Sequence, residues 1–406
     1  GVDASMPVDA QAAKTILDEF SASEGVGKSF SLAIADGKGN IVAEHDAMIP
    51  RQPASTLKTL TAFAAATTLD MGSTLDTKTY LIQGDDNRKT VVLQGEGDML
   101  LSDGESDPSH INGHAGLGTL AQRTAEALKQ RGITQVDLLY DDSLFGQDRT
   151  PAGVTENNAE HRYYTAISTM AVDGGRTWTD MVKPANPDDS SQYPVLSQQP
   201  ALDAATTFAK RLADNGITVM SGPTAGAAPS GTSALASVSS APLNEVMAFM
   251  LRHSDNTLAQ LFGRLTALKR QAGNSIKTDT LAEQGIDTSG LQMADCSGLT
   301  PGSKVSVTTL IEMQERNLTA GIATAAAEGL SIPGLVGTAR NRIVTGPDNG
   351  LFRVKTGSLD AVTSLAGNVS RVKGGVLSFA VIVNDPENQW SAIEAINVMA
   401  AKLAKL

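Results

Sequence analysis

The two ends of the chain each carry a helical segment and short strand-like segments, and this arrangement constrains the fold most strongly. Near the start, a helical stretch from Val8 to Phe20 precedes FSLAIADGKGNIVAEHD, in which two strand-like runs flank a turn-forming cluster. Near the end, LFRVKTGS, VTSLAGNVSR and GGVLSFAVIVND are strand-like, and a helical pattern follows from Trp390 to Leu406. Because neither end can bury a sheet alone, we predict one five-stranded antiparallel sheet, built from both ends and covered by the terminal helices.

The middle of the chain is predicted to be an insertion between these ends. After a helical segment that ends near Leu69, the sequence becomes strand-rich and punctuated by Asp and Gly, which sets a first boundary near residue 72. A tract of small residues, SGPTAGAAPSGTSALASVSSAP, sets a second boundary near residue 240. We therefore predict an α+β fold in which residues 1–72 and 241–406 form one domain and residues 73–240 form inserted αβ domains.

The composition excludes several classes of partner and site. Acidic residues outnumber basic residues, 44 against 32, and a net charge of -12 is the wrong sign for a surface that gathers phosphates, so we expect no nucleic-acid partner. The one cysteine, Cys296, excludes an internal disulfide and a cysteine-based metal site. No apolar run is long enough for a transmembrane segment, and the first residues lack the pattern of a signal peptide, which we expect to be absent from this chain.

The strongest local feature is PASTLKTLTAFAAATTLD, with Pro53 and Ser55 where a helix would begin. Ser55 and Lys58 are then neighbours one helical turn apart, and a neutral lysine amine could take the proton of the serine hydroxyl. A Ser-x-x-Lys match occurs about once by chance in a chain of this length. Ser370 and Lys373 form a second match in a strand-like segment. Taken alone, Ser55 therefore fits an ordinary helix cap better than a catalytic residue.

A second motif is HSDNTLAQ, which places Ser254, Asp255 and Asn256 where one helical pattern gives way to the next. Taken alone, this segment is typical of a helix cap, because these side chains accept hydrogen bonds from the first N–H groups of a helix. A role in chemistry for Ser254 and Asn256 therefore depends on the other motifs of the chain.

A third motif, KTGS, places Lys355, Thr356, Gly357 and Ser358 on the first of the three C-terminal strands. Gly357 would let a ligand backbone approach closely, and Lys355 would supply a fixed positive charge. On an ideal strand Thr356 and Ser358 share one face, and Lys355 needs a twist or bulge near Gly357 to reach the same pocket. Taken alone, Lys355 fits an exposed lysine on an edge strand.

The order of these three motifs, each in its expected helix, loop or strand, is much rarer than any one of them. In this order the chain resembles the penicillin-recognising serine enzymes. The spacing from Ser55 to Ser254 is 254 − 55 = 199 residues, and that from Asn256 to Lys355 is 355 − 256 = 99 residues. The long first spacing is similar to that of the class C low-molecular-mass penicillin-binding proteins, the D-alanyl-D-alanine carboxypeptidase/endopeptidase family, which carry extra domains there.

Further segments extend the resemblance over nearly the whole chain. GEGDMLL, DDSLF, ADCSGLT and KTGSLDAVTSLAGNV are similar to the family's GGGDPxL turn, DDSxF segment, DxSGL segment and active-site strand with its return strand. Met99 replaces the usual proline, and Pro301 follows SGLT where an arginine often stands. The resemblance implies a penicillin-binding/β-lactamase-like transpeptidase domain, with the inserted domains between the SxxK and SxN motifs.

The resemblance also implies the catalytic roles. Ser55 would be the nucleophile that forms an acyl-enzyme, and Lys58 would be its general base, which requires a pKa lowered by burial and by the nearby positive charge of Lys355. Ser254 would relay the proton toward the leaving amine. The backbone N–H groups of Ser55 and Ser358 would form the oxyanion hole.

Substrate binding is implied for the remaining motif residues. Asn256 would hold a substrate amide. Lys355, Thr356 and Ser358 would engage a terminal carboxylate, with Gly357 beside them. The site is therefore expected to bind the carboxyl-terminal end of a peptide. It needs neither a metal ion nor an organic cofactor.

The function that the resemblance implies is a serine D,D-carboxypeptidase/endopeptidase acting on D-Ala-D-Ala stem peptides or cross-links of peptidoglycan. Such an enzyme is acylated covalently by β-lactams and works outside the cytoplasmic membrane. One alternative is a serine β-lactamase, although no ExxLN segment with a deacylating glutamate follows Ser254. Another is a catalytically idle cell-wall-binding protein, which has no chemical need for intact Ser55, Lys58, Ser254 and Lys355.

Other polar clusters favour structural roles. Asp107, His110 and His114 in DPSHINGH suggest metal ligands, but no HExxH motif accompanies them, and a polar loop is favoured. Asp295 and Ser297 are predicted to be structural.

Overall fold

The computed structural model of the chain describes residues 3–271, 278–319, 321–343 and 350–406. Its contacts divide the chain into two compact units. The first unit comprises Gly1–Leu69, Pro151–Asn157 and Met247–Leu406, and the second comprises Asp70–Thr150 and Asn158–Val246. The assignment of residues 1–72 and 241–406 to one domain and of residues 73–240 to inserted domains stays a prediction.

The helices and strands are numbered in chain order. The helices are α1 (Ala10–Ser21), α2 (Lys58–Thr68), α3 (Leu117–Gln130), α4 (Pro200–Asp214), α5 (Leu243–His253), α6 (Asn256–Arg270), α7 (Thr278–Ala282), α8 (Val307–Leu318), α9 (Thr324–Glu328) and α10 (Gln389–Ala404). The strands are β1 (Phe30–Asp36), β2 (Ile41–His45), β3 (Asp76–Gln83), β4 (Lys89–Gly95), β5 (Asp98–Leu101), β6 (Gln135–Asp141), β7 (Met170–Val172), β8 (Thr218–Ala225), β9 (Ala236–Ser239), β10 (Phe352–Leu359), β11 (Val362–Ser370) and β12 (Val376–Asn384). No helix in the described ranges is long and apolar enough to cross a membrane.

The first unit is built on a five-stranded antiparallel sheet with the strand order β10-β11-β12-β1-β2. Two strands come from the start of the chain and three from its end, so the prediction of one sheet built from both ends is confirmed. Phe20 of α1 and Ile396 of α10 lie in one buried core with Leu32 and Phe379 of the sheet. The central strand β12 is buried on both faces, which explains its nearly continuous apolar sequence.

α2 positions the residues of the SxxK motif. It is buried from Lys58 to Ala65, because it packs against α6, α8 and α9. The short 3-10 turn Ala54–Leu57 before it contacts β10 and β11. The side chain of Lys58 is therefore surrounded by protein atoms and lies away from bulk water.

The second unit has a mixed five-stranded sheet with the order β8-β6-β4-β3-β9. β6 pairs in parallel with β4 and β8, whereas β3 pairs antiparallel with β4 and β9. α3 and α4 share a buried core with these strands, in which Leu120 and Phe208 lie beside Val91 and Leu138. The αβ character predicted for this part of the chain is therefore confirmed.

Asp98 is a buried carboxyl group at the start of β5 in the second unit. Its Oδ1 accepts a hydrogen bond from the Leu100 N–H at 2.9 Å, and its Oδ2 has no hydrogen-bond partner among the described residues. Burial raises the pKa of Asp98 to about 7; the hydrogen bond from Leu100 opposes this shift, and the charge of Asp76 adds to it. The folded protein therefore keeps this carboxyl protonated at pH values where an exposed carboxyl is charged.

We expect this group to make stability fall as the pH rises. An aspartate in water has a pKa of 3.8, so between about pH 4 and pH 7 the folded state holds a proton that the unfolded state has lost, and the free energy of unfolding should decrease by about 4 kcal/mol. Asp98→Asn should remove this decrease, which can be measured by urea unfolding from pH 4 to 8. Asp103→Asn, at an exposed carboxyl of the same unit, should retain it. Parallel curves for Asp98→Asn and the wild type would contradict the expectation.

Candidate active site

Ser55 lies in the 3-10 turn that leads directly into α2. The turn is fastened to the sheet, because the Pro53 carbonyl accepts a hydrogen bond from Ser364 Oγ on β11 at 2.7 Å. Ala54 has a φ of 50°, in the left-handed region that a non-glycine residue adopts only at an energetic cost. The starts of this turn and of α2 make no side-chain cap hydrogen bond, so the helix-cap interpretation of Ser55 is not supported.

Lys58 is fully buried and lies against the Ser55 hydroxyl. Its Nζ is 2.7 Å from Ser55 Oγ, 2.7 Å from Asn256 Oδ1 and 2.9 Å from the Ser297 carbonyl oxygen. Burial lowers the pKa of Lys58 to about 7, although two nearby carboxylates act in the opposite direction. A sizeable fraction of this amine is therefore neutral at neutral pH, and a neutral amine beside a hydroxyl can accept its proton.

Ser254 and Asn256 flank the junction between α5 and α6, and the residue between them caps the second helix. The Asp255 side chain accepts a hydrogen bond at 2.9 Å from an N–H of the first turn of α6. The cap interpretation of this motif therefore holds for Asp255. Asn256 instead reaches Lys58, and Ser254 Oγ lies 3.1 Å from Lys355 Nζ.

Lys355 is fully buried on β10, so its interpretation as an exposed lysine on an edge strand is wrong. Its Nζ lies 3.1 Å from Ser254 Oγ and donates to the Thr356 carbonyl at 2.7 Å. Burial holds the pKa of Lys355 well below its ordinary value, and the charge of Lys58 lowers it further. The charge of Lys58 therefore opposes the charged form of Lys355.

The pairing of β10 shows on which face of the strand each residue of the KTGS motif lies. β10 pairs with β11 along its whole length without a bulge, so of the twist or bulge that the sequence analysis considers near Gly357, the bulge is excluded. Lys355 and Gly357 share the face that meets the Ser55 turn, and Thr356 and Ser358 share the opposite face. Because β10 is an edge strand, a ligand that contacts both pairs would lie along its outer edge.

Gly357 has no room for a side chain. A Cβ atom there would lie 2.2 Å from Ser364 Oγ and 3.0 Å from both the Pro53 carbonyl oxygen and the Ser55 nitrogen. The turn that carries Ser55 therefore approaches Gly357 closely, and the approach of a ligand backbone to this residue stays a prediction. This contact sets the distance between β10 and the Ser55 turn.

Two further groups, the Thr338 hydroxyl and the Ser297 carbonyl, reach the site, and the sequence analysis assigns neither of them a catalytic role. Thr338 Oγ1 lies 2.6 Å from Thr356 Oγ1, and the Thr338 N–H donates to the Arg252 carbonyl at 2.8 Å. The Ser297 carbonyl accepts a hydrogen bond from Lys58. The ADCSGLT segment offers a signal for Ser297 through its resemblance to the DxSGL segment, whereas no local pattern points to Thr338.

The cluster of Asp107, His110 and His114, which suggested metal ligands in the sequence, lies in the second unit. His110 Nδ1 lies 3.0 Å from Asp188 Oδ2, and His114 Nδ1 lies 3.0 Å from the His110 carbonyl oxygen. His110 Nε2 is 3.7 Å from Asp107 Oδ2. Across the described ranges, no group of three His, Cys, Asp or Glu side chains is placed to hold a metal ion.

Comparison with known proteins identifies relatives that cover most of the chain. The D-Ala-D-Ala carboxypeptidase 3 (S13) family matches residues 14–196 and 187–403. Carboxypeptidase DacB of Mycolicibacterium smegmatis is 32% identical over 363 residues, which cover 84% of this chain and 73% of that protein. A carboxypeptidase of Mycobacterium tuberculosis is 31% identical over 364 residues, which cover 86% of this chain and 74% of that protein.

Solved structures share the fold at lower sequence identity. Penicillin binding protein 4 of Haemophilus influenzae aligns with a TM-score of 0.74 and 18% identity, over 98% of this chain and 100% of that one. A predatory peptidoglycan endopeptidase of Bdellovibrio bacteriovorus aligns with a TM-score of 0.56 and 14% identity, over 93% of this chain and 92% of that one. The predicted penicillin-binding type of fold is confirmed by these two likenesses.

Proposed function

Because the chain belongs to the D-Ala-D-Ala carboxypeptidase 3 (S13) family and is a serine D,D-peptidase of peptidoglycan, we propose that Ser55 is its nucleophile. One observation carries this assignment: the Ser55 hydroxyl lies 2.7 Å from Nζ of the fully buried Lys58. The proposed substrate is the D-Ala-D-Ala end of a stem peptide. Since peptidoglycan lies outside the cytoplasmic membrane, we also propose that the enzyme acts there.

Acylation would begin when Ser55 Oγ attacks the carbonyl carbon between the two D-alanines and its proton passes to Lys58 Nζ. The carbonyl electron pair moves to oxygen, where the backbone N–H groups of Ser55 and Ser358 are proposed to stabilise it. The C–N bond then breaks, and the proton on Lys58 passes through the Ser254 hydroxyl to the leaving nitrogen. The products are an ester on Ser55, free D-alanine and a neutral Lys58.

Deacylation would reverse this proton movement with water as the nucleophile. A water oxygen adds to the ester carbonyl carbon, Lys58 takes one of its protons, and the ester bond breaks so that the Ser55 oxygen regains a proton. A cross-link contains the same D-alanyl bond, with an amine of a second stem peptide as the leaving group. The same groups can therefore perform carboxypeptidase and endopeptidase reactions.

The terminal carboxylate of the substrate is proposed to bind along the outer edge of β10. Burial lowers the pKa of Lys355, and a bound carboxylate would stabilise its ammonium form. Either Thr338 or Thr356 can donate in the contact between their hydroxyls. When Thr338 donates, the Thr356 proton is available to the carboxylate. Ser358 would add a second hydroxyl, and Asn256 would bind a substrate amide.

The role of Thr356 predicts a selective loss of activity. Thr356→Val should weaken kcat/KM for a peptide that ends in free D-alanine more than kcat/KM for the amidated peptide. The expected differential is about 1.5 to 3 kcal/mol, because a hydrogen bond to a charged group is lost. Thr67→Val is the matched control, since the Thr67 hydroxyl bonds only within α2 in the described contacts. A ratio unchanged by Thr356→Val would show that Thr356 does not read the carboxylate.

The proposed function is tested with purified muropeptides. Pentapeptide monomers should release D-alanine and cross-linked dimers should give monomers, and Ser55→Ala should show neither product. Rapid hydrolysis of benzylpenicillin without release of D-alanine would favour a β-lactamase. Binding of muropeptides without any product would favour a cell-wall-binding protein.

A further inference from the structure

The hydrogen bonds of Lys58 determine where its lone pair points when the amine is neutral. A neutral amine has one lone pair, so one neighbour must donate to it. The Ser297 carbonyl oxygen and Asn256 Oδ1 can only accept hydrogen bonds. Among these three contacts, Ser55 Oγ is the partner able to donate. The two acceptors therefore aim the lone pair at the Ser55 hydroxyl proton.

The Ser297 carbonyl belongs to a loop that wraps around the Asp295 carboxylate. Oδ1 accepts hydrogen bonds from the N–H groups of Ser297 at 3.0 Å and Gly298 at 2.6 Å. Oδ2 accepts from the Thr300 N–H at 2.8 Å and from Ser297 Oγ at 2.9 Å. Asp295 is 5% exposed and Ser297 is 1% exposed. These bonds form away from bulk water, and the carboxylate therefore sets the shape of the loop.

The same loop is anchored to the helices that carry the site. Thr61 Oγ1 on α2 donates to the Cys296 carbonyl at 2.6 Å, and the Cys296 N–H donates to Gln260 Oε1 on α6 at 2.9 Å. A Cβ added to Gly298 would lie 1.9 Å from the Ala54 carbonyl oxygen, so the loop packs directly on the Ser55 turn. The position of the Ser297 carbonyl is therefore fixed relative to Lys58.

We propose that Asp295 is a positioning residue for the general base, acting through the Ser297 carbonyl to aim the Lys58 lone pair at Ser55. This inference rests on the proposed function, because it assigns Lys58 the role of base for Ser55. It gives Asp295 and the Ser297 carbonyl a part in acylation, in place of the structural role that the sequence predicts for both residues.

The charge of Asp295 gives this role a measurable signature. Burial lowers the pKa of Lys58 to about 7, and the carboxylates of Asp295 and Asp255 act to raise it. The charge of Lys58 in turn lowers the pKa of Lys355. Asp295→Asn removes one of the two raising charges and also disturbs the loop. Lys58 should then lose its proton at a lower pH, while its lone pair is less well aimed.

The test is the second-order rate of Ser55 acylation by benzylpenicillin, measured on the full chain from pH 5 to 9. The wild-type rate should rise with pH through about 7 and reach a plateau. In Asp295→Asn the rising limb should move to lower pH by about one unit, and the plateau should fall at least about tenfold. Asp287→Asn is the matched control, because its exposed carboxylate also accepts an N–H of its own loop, from Ser289 at 2.9 Å. This control should keep the wild-type limb and plateau.

Thr61→Val is a milder variant that keeps the charge and removes one anchor of the loop. Its plateau should fall at least about threefold, with the limb in place. Two results for Asp295→Asn would overturn the inference and leave Ser55 acylation untouched. One is a pH profile of the acylation rate like that of the wild type. The other is a lower plateau rate with a rising limb at the wild-type pH. If Asp295→Asn does not fold, Thr61→Val decides, and a wild-type plateau overturns the inference. Absence of an adduct on the wild type would overturn the proposed function together with it.

Discussion

Replacing Lys58 with alanine is expected to slow acylation of Ser55 by benzylpenicillin by about a hundredfold to ten-thousandfold. The serine hydroxyl would then lack the amine that lies 2.7 Å from it, and the other contacts of that amine, Asn256 Oδ1 and the Ser297 carbonyl, would not replace it because they are acceptors. The rate is measured by quenching the reaction at intervals and quantifying the acylated protein by mass spectrometry.

The matched control for this variant is Lys14→Ala. Lys14 lies in the same unit on α1 and pairs at the surface with Asp18 at 2.8 Å. It should acylate like the wild type. Circular dichroism of Lys58→Ala should show the wild-type secondary structure, because the change leaves the helix with a residue that favours helix. A folded Lys58→Ala protein that acylates at the wild-type rate would remove Lys58 from the role of base.

Gly357→Ala is expected to reduce acylation by at least about a hundredfold. The added Cβ would lie 2.2 Å from Ser364 Oγ and 3.0 Å from the Ser55 nitrogen, so β10 or the Ser55 turn must shift. Either shift moves the nucleophile relative to the groups on β10 that are proposed to bind the substrate. The acylation rate and the kcat/KM for release of D-alanine should therefore fall together.

Gly350→Ala is the control for this substitution, because among the described residues, apart from Gly350 and its chain neighbours, no heavy atom lies within 4 Å of the position of its added Cβ. It should keep the wild-type acylation rate. A Gly357→Ala protein with the wild-type rate would show that the space between β10 and the Ser55 turn is adjustable, which would contradict the packing described for this site.

The sheet of the first unit could be predicted from the sequence because its strands are short, strongly patterned and too few at either end of the chain. The apolar run of β12 and the turn cluster between β1 and β2 are local signals for strands. Because the strands at both ends of the chain must be buried, they are predicted to form one sheet. The segment Pro151–Asn157 gave no such signal, because its place in the first unit follows from contacts with distant residues such as that of Asn157 with the Leu299 carbonyl.

The candidate site was predictable as far as the motifs name its residues. The structure brings Ser55, Lys58, Ser254, Asn256 and Lys355 together through contacts across long stretches of the chain. The interpretation of Lys355 as an exposed lysine was wrong, because its side chain is fully buried. The two-residue period of a strand correctly predicts that Lys355 lies on the face opposite Thr356 and Ser358. Which of these two faces meets the Ser55 turn depends on packing between distant segments of the chain.

Sequence patterns did not indicate the roles of the Ser297 carbonyl and of Thr338. One contact uses a backbone atom, and the other joins residues from separate segments of the chain. The Lys58 contact with Ser297 spans 239 residues and uses a carbonyl group that every residue possesses. Thr338 meets Thr356 side chain to side chain, but nothing in its local sequence distinguishes it from other threonines. Such contacts depend on the relative placement of α2, β10 and the loops between them. Local residue patterns do not predict that placement.

Intact-mass spectrometry after incubation with benzylpenicillin is the direct test of Ser55 as the acylated nucleophile. The wild-type chain should gain the mass of one penicillin molecule, peptide mapping should place the adduct on Ser55, and the adduct should persist for minutes. Ser55→Ala should gain no mass under the same conditions. An adduct on another residue would show that Ser55 is not the nucleophile. Rapid turnover of benzylpenicillin with no trapped adduct on the wild type would identify a β-lactamase instead.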